Sequence, residues 1–91
     1  MPNKIPDSLR DELIEKLADI EHQRWAHWQE YLHSKCIPNP DGSLTIPSNL
    51  VSRWKKQIET PYASLSPEEQ FSDKEQVEKA LIAIEAMVGK L

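Results

Sequence analysis

Apolar residues recur at helical spacing in three stretches of the chain, and proline-rich segments separate them. Residues 1–6 hold two prolines and read as a short extended arm. Leu9, Leu13, Leu17 and Ile20 follow at steps of three and four, and no proline or glycine intervenes before Pro38. That pattern predicts one long helix over about residues 8–34. Asp7 or Ser8 is the expected cap, and Asp11 and Glu12 fall in the first turn, where the helix dipole favours carboxylates. In the second half of this helix Trp25, Trp28, Tyr31 and Leu32 are read as a face turned away from that of the leucines, so that the two halves contact different things.

The segment from Lys35 to Pro47 loses the helical period. Asp41-Gly42 is a turn signal flanked by Ile37 and by Leu44 and Ile46, which predicts a small hairpin or irregular loop leaning on the helices. Leu50, Val51, Trp54 and Ile58 give a second helical stripe between Pro47 and Pro61. Ser66, Pro67 and Glu69 then occupy N-cap, N1 and N3 of a short helix, and Ser72 with Glu75 repeats the spacing and opens a last one. That last helix carries Val77, Leu81, Ile84 and Val88 with Ala80 and Met87. The expected fold is mostly α: a single domain over residues 1–91, a compact bundle of one long and two to three shorter helices with a short β-hairpin or strand pair.

Polar residues interrupt the long helix in an informative place. Arg24 and Glu21 fall in the sector that Leu13, Leu17 and Ile20 occupy one or two turns earlier, at about 100° per residue. Polar groups in an apolar sector are paired, wetted or bound to something, so "EHQRW" is a candidate wall of a polar pocket. The plainer alternative pairs Glu21 with Arg24 at i, i+3 and places His22 in the core against a loop carbonyl. His22 and Trp25 are expected to be largely buried.

Charge and composition narrow the partners. A net charge of −4 argues against a protein built to coat the phosphates of DNA or RNA, and against a membrane-surface anchor. Cys36 is the one cysteine, so no internal disulfide forms. The start lacks a signal-peptide core and no apolar run is long enough to span a membrane, which makes a cytoplasmic location the expectation. No nucleophile sits beside a recognisable base, His22 and His27 diverge on the helix, and two glycines do not make a phosphate loop. The chain is therefore read as non-enzymatic, with no metal or cofactor. Arg24 supplies a planar fork for phosphate or carboxylate, and Trp54 flanked by Arg53, Lys55 and Lys56 can stack on a base. Trp54 equally fits as a packing residue of its stripe. Three tryptophans are many for a small core, which also points to a homo-oligomer formed partly by the aromatic end of the long helix.

"LADIEHQRWAHW" and "TPYASLSPEEQFSDKEQVEKAL" together resemble the ryanodine-receptor repeat (RyR) domain family. His22 and Trp25 match its His-x-x-Trp helix. Pro61, Tyr62, Leu65, Ser66, Glu68, Glu69 and Asp73 match its Pro-Tyr, Leu-Ser turn and helix-opening acid. The likeness covers about residues 17–84. It implies a small helical unit with a short strand pair, of the standalone kind found in bacteria and their viruses, where a role in sensing or sequestering nucleotide-derived ligands in immune signalling has been proposed. Where the family usually carries a Gly-Trp pair, this chain reads His33-Ser34-Lys35-Cys36, so a stacking role falls to Trp28 or Trp54. The expected function is binding of a small nucleotide-derived ligand through Glu21, His22, Arg24, Trp25, Trp28, Arg53, Trp54 and Tyr62. A protein-interaction or oligomerisation adaptor without a small ligand is the alternative.

Overall fold

The computed structural model describes residues 4–91; the first three residues of the expected arm lie outside that range. Helix α1 runs Asp7–Lys35. Its first turn hangs on the Pro6 carbonyl, which accepts from the Arg10 N–H at 2.8 Å, and no side chain caps it. Asp7 and Ser8 lie inside the helix rather than capping it, because Pro6 already supplies the extended entry and Asp7 serves as the first-turn acid. At the other end the backbone turns extended at Cys36. The Cys36 thiol donates to the Leu32 carbonyl at 3.2 Å, and the residue is buried.

The expected hairpin forms. Strand β1, Ile37–Pro38, pairs antiparallel with β2, Leu44–Thr45. Gly42 takes a φ of +90°, which an L side chain resists, and its N–H closes the turn on the Asn39 carbonyl at 3.0 Å. The Ser43 hydroxyl and backbone N–H both donate to Asp41 Oδ1, at 2.6 and 2.9 Å. The hydroxyl first, then the N–H, hold the Asp41 carboxyl below the usual aspartate range.

Helix α2 spans Ser48–Glu59, ended by Thr60 and Pro61. A single 3₁₀ turn, Tyr62–Ser64, leads to α3, Pro67–Val88. The capping box at its start is complete: Ser66 Oγ accepts from the Glu69 N–H at 3.2 Å, and Glu69 Oε1 accepts from the Ser66 N–H and hydroxyl. The break expected at Ser72 does not occur. Ser72 and Glu75 lie within one uninterrupted helix, since no proline or glycine separates the two stretches and a Ser-x-x-Glu spacing serves a helix interior equally well.

Helices α1 and α3 lie antiparallel as one layer. Near the start of α1, Lys90 Nζ donates to Glu12 Oε1 at 2.7 Å, and Leu13 and Met87 are both buried there. The inward face of α3 is apolar at this end, with Ala80, Ala83 and Met87, and polar at the other, with Glu69, Ser72, Asp73 and Gln76. The face of α1 changes in the same way, from Leu9, Leu13, Leu17 and Ile20 to Arg24, Trp28 and Tyr31. At about 100° per residue, Tyr31 and Trp28 fall about 40° and 100° from Leu9. The apolar face of α1 therefore does not rotate as expected; one continuous side meets two neighbours in succession, α3 and then α2.

The result is a mostly helical fold with a short strand pair and an elongated shape. Its radius of gyration is 18.0 Å, against about 12 Å for a compact domain of this length. Only Leu13, Cys36 and Met87 are buried apolar residues among those described.

Candidate functional site

At the polar end of the layer, α2 crosses α1 and leaves an open groove of about 590 Å³. The Trp28 ring forms its aromatic corner. It stacks on Tyr31, with centroids 5.4 Å apart and planes 23° apart, and meets Trp54 edge-on at 6.1 Å and 64°. Trp54 is half-buried because it is the α2 residue that packs onto α1.

Glu21, Arg24, Trp25, Trp28, Arg53 and Trp54, expected from sequence as site residues, all line this groove. Arg24 Nη2 donates to Glu21 Oε1, so the i, i+3 pair exists and the cavity lies beside it. Both side chains are more than half exposed, and a pair so placed contributes about 0–1 kcal/mol. The remaining N–H donors of the guanidinium stay available to a ligand.

Two expected residues lie outside the groove. His22 is exposed on the outer side of α1 and stacks on Trp25 at 5.9 Å. Tyr62 is 47% exposed, and its carbonyl accepts from Gln70 Nε2 at 3.0 Å. Trp25 reaches the groove edge yet is 58% exposed. The expected burial of His22 and Trp25 is thus overturned, because none of the described elements crosses that side of α1. Loss of the Trp25 ring should cost far less than a core tryptophan would.

The third wall is α3, which sequence reasoning missed. Glu68, Glu69, Asp73 and Glu75 bring carboxylates to the groove, and Ser72 and Gln76 line it between them. Gln76 Oε1 is buried without a hydrogen-bond partner. The available signal was the polar run Glu69, Ser72, Asp73 and Gln76 on the face that continues as Ala80, Ala83 and Met87. Five carboxylates face two arginines here, and Glu21 and Glu69 are already committed to Arg24 and Ser66. The groove is therefore aromatic and net acidic, with its cationic donors on α1 and α2.

Among the described residues, no cluster of three or more His, Cys, Asp or Glu could hold a metal ion, and no helix is long and apolar enough to cross a membrane. Comparison with protein-family models, curated proteins and solved structures finds no match.

Proposed function

We propose that the chain is a non-enzymatic binding module of the RyR-like kind its motifs imply, and that the groove takes a small nucleotide-derived ligand. The observation that carries this reading is the groove itself, in which the Trp28–Trp54 corner stands beside Arg24 and Arg53. A base lies flat on Trp28 or Trp54, a stacking contact that contributes about 1–3 kcal/mol. Arg24 and Arg53 stand on the α1 and α2 walls to take one anionic group, while the α3 carboxylates suit ribose hydroxyls and base N–H donors.

Those carboxylates also set a limit. Each added phosphate brings a charge toward Glu68, Asp73 and Glu75 in a groove with two arginines. Nucleosides, monophosphates and ribose-linked nucleotides fit better than triphosphates.

A thermal-shift series with adenosine, guanosine, their cyclic and linear monophosphates, ADP-ribose and ATP tests the reading. A ligand at 100 times its Kd stabilises by about 2.7 kcal/mol. Monophosphates or ribose-linked nucleotides should raise the melting temperature more than ATP does. Trp28→Ala and Arg24→Lys should remove that shift while leaving the unliganded melt less affected. A series in which no compound shifts the parent would overturn the proposal. The adaptor reading would then stand alone, favoured by the apolar side chains that line one side of the layer.

A further inference from the structure

Val77, Leu81, Ile84 and Val88 follow one another along α3 at steps of four, three and four, the spacing of a helix-packing seam. All four are exposed. They do not face α1: the residues of α3 turned toward it are Ala80, Ala83 and Met87, about 100° further round. On α1 the exposed Ile14 stands a similar angle from the inward Leu13 and Ile20. Because the two helices are antiparallel, these rotations carry Ile14 and the α3 seam to the same side of the layer. That is also the side α2 crosses at the groove end, where Trp54 meets Trp28. Among the described residues nothing crosses it at the core end.

The area involved is large. The chain exposes 7536 Å², whereas a folded monomer of 10.5 kDa exposes ~5,400 Å². The excess is roughly 2,100 Å² per chain, or about 4,200 Å² for two copies, within the about 2,000–5,000 Å² that obligate homodimers hide over both partners. A pair of antiparallel helices is also half of an architecture. One layer buries a stripe on each helix but leaves the flanking apolar positions wet, and two such layers close into a four-helix bundle.

We infer that a second copy of this chain covers the seam, through a two-fold contact of α3 and the first half of α1 with the same surfaces of the partner. A two-fold contact needs a self-complementary patch, and an uncharged aliphatic stripe meets that condition without matching any foreign sequence. The interface lies at the end of the layer opposite the groove, not at the aromatic end where sequence placed it. It is formed by the chain's own side chains, so its test runs without a ligand.

Light scattering of the purified full chain over a concentration series should give twice the 10.5 kDa chain mass. The melting temperature should rise with concentration, as it does when folding and association are linked. Leu81→Glu and Ile84→Glu place a carboxylate in the seam and should each reduce the mass to that of one chain. Ile82→Glu, exposed on the far side of the same helix, should keep the double mass and the far-ultraviolet dichroism of the parent. A parent that scatters as one chain with a concentration-independent melt overturns the inference. So does a double mass that survives both seam variants, which would put the contact elsewhere.

Discussion

Replacing Ser66 by alanine tests how α3 is started, and with it the third wall of the groove. The substitution removes the acceptor that takes the Glu69 N–H at 3.2 Å and the hydroxyl that donates to Glu69 Oε1 at 2.8 Å. The Glu69 N–H is then an orphan donor at a helix end. Loss of such a cap costs about 1 kcal/mol, within a range of roughly 0.5–2. Ser66 and Glu69 are both half-buried, so water reaches the orphan poorly and the upper half of that range is expected. For a domain of this size each kcal/mol lowers the melting temperature by about 4–8 °C. Ser66→Asp keeps an acceptor and should melt close to the parent. Glu69→Ala removes the carboxylate that accepts from the Ser66 hydroxyl at 2.8 Å and, at a long 3.4 Å, from the Ser66 N–H, but it leaves the Glu69 N–H capped and should cost less. The double variant should cost less than the two singles added, by about 0.5 kcal/mol or more, because both singles already lose the bond from the Ser66 hydroxyl to Glu69 Oε1. Thermal unfolding followed by helical dichroism at fixed protein concentration reads all four. A Ser66→Ala protein that melts with the parent, or strict additivity in the cycle, would refute the account of this helix start.

Met87 is 3% exposed, and Met87→Ala should cost about 2–5 kcal/mol in denaturant unfolding and separate the core end of the layer. The Lys90 hydrogen bond first, then its charge and that of Lys16, hold the Glu12 carboxyl below the usual glutamate range. That pair therefore adds stability above the unfolded carboxyl's pKa and loses it as pH falls through the folded one. Lys90→Ala should move the Glu12 titration, read by carbon NMR, up toward the ordinary range and flatten the acid side of the stability profile. At Gly42 an added Cβ would meet no atom within 4 Å, so Gly42→Ala should cost only the backbone term, about 1–2 kcal/mol by thermal melting, and Gly42→Asn less.

What the sequence made legible was written locally. The Asp41-Gly42 turn, the Ser66-Pro67-Glu69 start and the unbroken run from Asp7 to Lys35 each depend on neighbours a few residues away. Arg24 was foreseeable at the groove, because a polar residue stood where leucines would otherwise continue; its meeting with Trp28 was not, since Trp28 was read on the face turned away from the leucines, and Trp54 comes from another helix. Burial was not legible at His22 and Trp25. A spacing of three puts two side chains on one face of a helix, but only the path of another element decides whether that face is covered. Ser72 and Glu75 misled for the opposite reason, as their pattern is a start signal only where the chain has already left the helix. The acids of α3 were read as capping and turn residues one at a time. Their shared face appears only when the whole helix is taken as continuous from Pro67.

That continuity has a mechanical consequence. Helix α3 holds 22 residues and spans about 33 Å, with its one proline at the first position and its nearest glycine beyond its end. It has no hinge. A tilt forced on Glu69 or Ser72 at one end is not absorbed along the way but arrives, scaled by the length of the rod, at Ile84 and Val88. A bent helix could let the two ends of this protein behave separately. A straight one makes them a single lever, with its fulcrum where Ala80 and Ala83 lie against α1.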